Sequence, residues 1–254
     1  MIRVLLTGLL VLSATTLLAQ GSPTMITVRA TSRDAKVIGD GVGGARITIR
    51  DVATGKVLAS GIQRGGTGET KRIMQEPRTR GAIVYGTEGA AAFRATILLE
   101  RPTQVEIVAE GPLKYPQAMQ RVSKTMLLIP GRHIEGEGVL LEIHGFIVDI
   151  ISPAASPAGE PLNVRAKVTM ACGCPTEPAG LWDADRISIT ARATQRGKVM
   201  GEARLRYAGE TSTFEGAIPL LNAGSYELEV LAADETSLNF GRATRKFVVP
   251  RSGR

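Results

Sequence analysis

Short segments in which apolar and polar residues alternate recur along the whole chain, and glycine and proline separate them. Alternation with a period of two residues places successive side chains on opposite faces of a strand, so it predicts β-strands. A helical periodicity of 3.6 residues nowhere extends beyond about two turns. The sequence therefore predicts an all-β protein, with first-half strands at 25–30, 46–51, 56–60, 93–99, 105–109 and 139–143.

The second half of the chain shows the alternation more regularly. It predicts seven strands, at 146–151, 162–170, 187–193, 201–207, 214–219, 226–232 and 244–249. Seven short strands over about 105 residues are typical of a β-sandwich. The join at Gly145 is too short for a flexible linker, so we expect a fixed relation between the halves. The predicted organisation is two β-sandwich domains in tandem, 24–144 and 145–250, after a signal peptide.

Two segments resemble parts of known sandwich families. Residues 221–233, where Gly224 precedes Tyr226, resemble the sixth strand of immunoglobulin-like and fibronectin-type sandwiches, with this pair in the position of the tyrosine corner. Residues 43–61 are similar to transthyretin-like or carboxypeptidase-regulatory-like sandwiches. Both resemblances imply architecture and not activity, because one fold hosts many functions.

The N-terminus has the pattern of a secretory signal peptide. Arg3 precedes an apolar run from Val4 to Leu12, and small residues lead to an expected cut after Ala19. We found no other segment long and apolar enough to span a bilayer, so the mature chain is predicted to lack a transmembrane segment. We expect the mature protein to be periplasmic or secreted.

The charge of the chain favours an acidic partner. The sequence has 31 basic and 24 acidic residues, a net charge of +7 and a pI near 9.7. Such a chain is attracted to acidic surfaces or to an acidic protein of the cell envelope. Nucleic acid is not expected, because the basic residues are scattered and only 4% of residues are aromatic.

Residues 61–89 form a long segment rich in Gly, Arg and Thr that interrupts the strand pattern. Its length exceeds that of an ordinary structureless loop, so it is mobile, is a partner-binding excursion or contains short strands. Arg64, Lys71 and Arg72 are its candidate partner-binding residues. The spacing of glycines and lysine at 65–71 does not match a phosphate-binding loop.

The chain has two cysteines, Cys172 and Cys174, separated by one glycine. Three states are open to them. They form a disulfide, or they bind a soft metal ion together with His144, or they are free or intermolecular thiols capable of redox exchange. Two thiolates and one imidazole suit copper(I), and an added carboxylate would suit zinc.

The predicted topology brings polar side chains to one pole of the second sandwich. The connection with the cysteines follows the second strand, and the connection after the sixth strand lies at the same pole as the chain entry at His144. These two connections contain Trp182, Asp183, Asp185 and Asp234. We expect these four residues to bind a partner at the pole that faces the first domain.

The sequence predicts a protein without catalytic activity. It has no nucleophile elbow and no zinc-protease motif, and its only histidines are His133 and His144. We therefore expect an exported binding or structural module of the cell envelope that docks a partner at the interdomain pole and needs no cofactor. The alternative is a soft-metal-binding or redox protein that uses Cys172, Cys174 and His144, with copper or zinc. The oligomeric state is left open.

Overall fold

The computed structural model describes residues 21–152, 159–219 and 222–251. The predicted signal peptide at 1–19 lies outside the described residues. The described chain is all-β, as predicted. Its strands are β1 Ser22–Ser32, β2 Ala45–Asp51, β3 Val57–Gln63, β4 Phe93–Leu99, β5 Thr103–Gly111, β6 Gln120–Leu128, β7 Ile134–Ile143, β8 Phe146–Ser152, β9 Leu162–Met170, β10 Ser188–Gln195, β11 Lys198–Tyr207, β12 Thr213–Ile218, β13 Gly224–Asp234 and β14 Asn239–Val249.

Helical structure is limited to single turns in the described part of the chain. Three are 3-10 turns, Asp40–Val42, Pro116–Ala118 and Ala184–Arg186, and one is a π-helical turn, Lys71–Gln75. Within the same residues, no helix is long and apolar enough to cross a membrane.

The N-terminal half packs two sheets around one core. Strands β4, β1 and β7 form the first sheet, in which β1 runs parallel to β7, and the antiparallel order β3-β2-β5-β6 forms the second. Alternate residues of β1, such as Ile26 and Val28, and of β2, such as Ile47 and Ile49, are buried in this core. The alternation thus fixes which side of each strand faces inward.

The C-terminal half contains all seven predicted strands, in the hydrogen-bonded order β14-β13-β10-β11-β12-β9-β8. Strand β11 pairs with β10 along most of its length but with β12 only at Arg206 and Tyr207. The short pairing between β11 and β12 therefore connects two groups of strands. One group is β8, β9 and β12, and the other is β10, β11, β13 and β14. Inward residues of β13, including Tyr226, Leu228 and Val230, are buried in the core between these groups.

The two cores exchange residues across the junction. Ala35 of the first half is buried in the second core, while Ile147 and Ala171 of the second half are buried in the first. Gln117 of the first half also donates a hydrogen bond of 3.2 Å to the carbonyl of Val148 on β8, an edge strand. These contacts support the expected fixed relation between the halves. The division between residues 144 and 145 stays a prediction, because each core contains residues from both sides of it.

Candidate functional site at the junction of the halves

The cysteine connection, residues 171–187 between β9 and β10, begins with a disulfide between Cys172 and Cys174. Both cysteines are buried in the C-terminal core. Gly173 between them has a φ of +77°, and a Cβ atom there would lie 2.7 Å from Val42 of the other half. Glycine is therefore required at this position both for its backbone conformation and for the close approach.

The ring nitrogens of His144 contact groups other than the two sulfurs. Its Nδ1 is 3.1 Å from the carbonyl oxygen of Leu238, and its Nε2 is 3.7 Å from a carboxylate oxygen of Glu142. No group of three or more His, Cys, Asp and Glu side chains in the described ranges is placed to hold a metal ion. The predicted copper or zinc site at Cys172, Cys174 and His144 thus has no support in this arrangement, because the sulfurs are bonded to each other and the imidazole contacts other groups.

Trp182 links the cysteine connection to the first half. Its indole N–H donates a hydrogen bond of 3.0 Å to the carbonyl of Asp34, and its ring packs against the C-terminal core. Together with Asp183 and Asp234 it lines a small cleft. The structure therefore brings three of the four residues predicted at the pole to one place.

The carboxylates of this cleft hold their own loops. Asp183 accepts hydrogen bonds of 3.0 Å from the N–H groups of Ala179 and Asp185. Asp234 accepts bonds from the N–H and the hydroxyl of Ser237 and lies 3.7 Å from Arg186. Asp185 itself is exposed beside the cleft. A role of these residues in partner binding stays a prediction.

Asn239 fixes the turn between β13 and β14 to the first half. It is fully buried, its side-chain oxygen accepts a bond of 2.7 Å from the N–H of Gly145, and its amide donates one of 3.2 Å to the carbonyl of Arg33. Leu238 lies in the turn before β14 and has a φ of +58°. Phe240 follows Asn239 on β14, so its side chain points to the opposite face. Leu238 and Phe240 are 52% and 53% exposed.

An apolar surface therefore surrounds the junction. Phe240 lines a groove of about 410 Å³ with residues of the 116–118 turn, next to Met119, which is 48% exposed. Leu181, also 48% exposed, lines the Trp182 cleft beside Ser237. We name Met119, Leu181, Leu238 and Phe240 the junction patch. Sequence reasoning missed these residues, because a lone apolar residue in a turn or on an outer sheet face gives no signal of its own.

The basic candidates lie on a different surface, the excursion, which we define as residues 64–92. Its predicted start at residue 61 is wrong, because β3 continues to Gln63. Gly61 interrupts the alternation of side chains within β3. Glycine is needed there because a Cβ atom would lie 2.6 Å from the ring of Phe93. Arg64 lies 3.5 Å from Asp40, and Lys71 and Arg72 are exposed on the π-helical turn.

The excursion has a small core of its own, formed by Val37, Ile73, Tyr85 and Ala91. Arg78 lies over the ring of Tyr85, at 5.4 Å from its centroid. Lys36 donates a bond of 2.9 Å to the hydroxyl of Thr70, and burial lowers its pKa. The segment is thus packed against the sheet rather than loosely attached.

Glu137 anchors the excursion. Its carboxylate accepts hydrogen bonds from the backbone N–H groups of Val84, Tyr85 and Gly86, at 2.9 to 3.2 Å. The buried Arg29 donates to the carbonyls of Gly136 and Glu137 at 2.7 and 2.6 Å. Burial lowers the pKa of Arg29, the charge of Arg94 lowers it further, and the charge of Glu137 opposes both.

Comparison with known proteins adds only architecture. Neither a protein-family model nor a curated protein matches this chain. Solved structures similar to it include fibronectin(III)-like modules of CbhA from Clostridium thermocellum, with 11% identity, coverage of 91% of this chain and 95% of that chain, and a TM-score of 0.30. The chicken interferon gamma receptor alpha chain shows 11% identity, 90% and 98% coverage and a TM-score of 0.33.

A marsupial T cell receptor is similar over 92% of this chain and 75% of the receptor chain, with 11% identity and a TM-score of 0.30. Immunoglobulin-like and fibronectin-type domains are thus among the similar structures, as the resemblance predicted. Similarity at this level supports no statement about activity or partners. The all-β sandwich architecture rests on the strands and cores described above.

Proposed function

We propose that this chain is an exported, non-catalytic binding module of the cell envelope that docks a partner protein through the junction patch. The observation that carries the proposal is the position of Met119, Leu181, Leu238 and Phe240. Each is about half exposed. Each lies in a segment that is bonded to the other half: Met119 follows the turn with Gln117, Leu181 precedes Trp182, and Leu238 and Phe240 flank Asn239. Exposed apolar side chains grouped on one surface are a mark of protein interaction sites.

Three further observations support the proposal. The junction is held by interlocking cores and by Asn239, so the patch is presented on a rigid base that loses little conformational entropy on binding. Asp183 and Asp234 are engaged in loop hydrogen bonds, which favours a structural role over acid-base catalysis. A disulfide also fits the oxidising compartment to which a signal peptide would lead.

The proposal is tested by placing charges on the patch. The double variant Leu238→Asp and Phe240→Asp puts two carboxylates on it, while Val199→Asp and Val248→Asp do the same at the opposite end of the β11-β10-β13-β14 sheet. Val199 and Val248 are each 51% exposed, so the two pairs are matched in exposure. Each pair is expressed in the native organism and purified from its envelope after crosslinking.

We expect the patch variant to lose its crosslinked partner at least about tenfold relative to the native chain, equivalent to about 1.4 kcal/mol of binding free energy. The control variant should retain it. Equal recovery with both variants would show that the partner binds elsewhere, and the docking role of the junction patch would be abandoned.

A further inference from the structure

The connections at the junction are acidic although the whole chain is basic. Residues 171–187 and 234–238 carry five acidic side chains and one basic one, against a net charge of +7 for the chain. Asp185 and Glu235 are exposed, and neither forms an ion pair with any described residue. They belong to the same two connections as Leu181 and Leu238, and these connections meet at the Trp182 cleft. We name Asp185, Glu235, Leu181 and Leu238 the acidic pole.

The excursion presents the opposite combination. It carries five basic and three acidic side chains. Arg72 and Arg80 are exposed and form no ion pair within the described residues. Ile83 is 42% exposed, and Glu137 fixes the backbone directly behind it. We name Arg72, Arg80 and Ile83 the basic tip.

From this complementarity we infer that the partner of the junction is a second copy of the chain, whose basic tip binds the acidic pole. The inference rests on the proposed docking role of the junction and names its partner. Apolar side chains on each surface bury one another, while charges of opposite sign set the orientation. Both surfaces are held by the fold, the tip by Glu137 and the pole by Asn239 and the loop carboxylates.

Such an interface joins two different surfaces of the same chain, so a bound pair of copies keeps one free tip and one free pole. Contacts of this kind build rings or filaments rather than a closed pair. Because the charges are exposed, added salt screens their attraction. Self-association should therefore increase with protein concentration and decrease with ionic strength.

The first measurement is sedimentation velocity of the mature chain at about 0.02 M and about 0.5 M salt, where the screening length falls several-fold. We expect the average mass to rise with concentration in low salt and to approach that of a single chain in high salt. A mass that stays at one chain over the whole concentration range in low salt would overturn the inference.

Charge reversal tests the two surfaces separately. The pole variant is Asp185→Lys with Glu235→Lys, and the tip variant is Arg72→Glu with Arg80→Glu. The control for the tip is Lys56→Glu with Arg101→Glu, which changes the net charge equally at exposed turns of the first half. We expect each test variant alone to weaken association about tenfold or more and the control to associate like the native chain.

Mixing the two variants provides the decisive result. The pole variant has a basic tip that fits the acidic pole of the tip variant, and the acidic tip of the latter fits the reversed pole of the former. An equimolar mixture should associate although neither variant does so alone. Failure of the mixture to associate, or equal loss in the control, would overturn the inference. A chain without self-association that still loses an envelope protein on the Leu238 and Phe240 substitutions would leave the proposed function intact.

Discussion

The two long connections of this protein, the excursion at 64–92 and the cysteine connection at 171–187, are ordered in different ways. The excursion has a small core, and a distant side chain holds its backbone. Glu137 lies 51 to 53 positions along the chain from the N–H groups that it accepts. The cysteine connection is held at several points, with Thr176 bonded to β9 and to Ser212, and Trp182 bonded to the carbonyl of Asp34 in the other half.

This difference shows that a glycine-rich segment is not loose merely because of its composition. Three adjacent N–H groups can be fixed by one carboxylate, since an ionised acceptor forms stronger hydrogen bonds than a neutral one. In the excursion one remote carboxylate holds three adjacent N–H groups, whereas the side-chain hydrogen bonds of the cysteine connection are spread over several residues. Removing one group should therefore affect the two regions unequally.

The largest effect is expected for Trp182→Ala. This change removes a large ring packed against the C-terminal core and leaves the carbonyl of Asp34 without its indole partner. The free energy of unfolding should fall by about 3 kcal/mol, the lower end of values for large aromatic residues, because Trp182 is only partly buried. Urea unfolding measures the loss.

The variant Trp182→Phe separates the two contributions. It keeps a six-membered aromatic ring and removes the N–H donor with the rest of the five-membered ring. Since Trp182 is only partly buried, we expect the lost hydrogen bond to dominate, with a loss of about 1 kcal/mol. If Trp182→Ala unfolds at the same urea concentration as the native chain, the link between the cysteine connection and the first half does not contribute to the free energy of unfolding. The difference drawn between the two connections would then be wrong.

The next effect is expected for Glu137→Ala. Three backbone N–H groups lose their common acceptor, and opening of the excursion should become easier by about 2 kcal/mol. The change is local, so trypsin should cut after Arg72, Arg78 and Arg80 about 30-fold faster, in the regime where cleavage follows the open population. The rate of cleavage in native buffer measures this.

The matched control is Glu135→Ala. Glu135 lies two residues away, is exposed, and makes no hydrogen bond among the described side chains. Its variant should be cut at the native rate. Equal acceleration in both variants would mean that general weakening of the 135–138 segment, and not the carboxylate of Glu137, controls the excursion.

The sequence predicted most of the fold because alternation is a local signal. The seven strands of the C-terminal half were found within a few residues. Strand β6 was missed, since it lies at the edge of its sheet and only Leu128 of its nine residues is buried. Val122, Met126 and Leu128 pack on or in the N-terminal core, but Lys124 stands between the first two and interrupts the apolar alternation.

The candidate site was less predictable than the fold. Topology brought Trp182, Asp183 and Asp234 together, because turns that follow alternate strands meet at one pole. The sequence contained no signal for the junction patch or for Glu137. Both depend on contacts between segments far apart in the chain, the 116–118 turn beside Phe240 and Glu137 beside Tyr85. A single sequence read for local periodicity does not reveal such pairs.

The smallest effect is expected for loss of the disulfide. In the double variant Cys172→Ala and Cys174→Ala the loop that is opened contains a single intervening residue, so the chain-entropy contribution is only about 1.5 kcal/mol. The connection remains held by Thr176, whose hydroxyl donates to the carbonyl of Val168 at 2.8 Å. The N–H of Thr176 also donates to the hydroxyl oxygen of Ser212, and the N–H of Ser212 donates to the carbonyl of Thr176. Urea unfolding of this variant is compared with that of Thr176→Val, which leaves the buried carbonyl of Val168 without its donor and should cost about as much. If the double alanine variant instead loses several kcal/mol while Thr176→Val is native-like, the covalent bond rather than the hydrogen bonds fixes this connection. Both connections would then depend on a single dominant constraint.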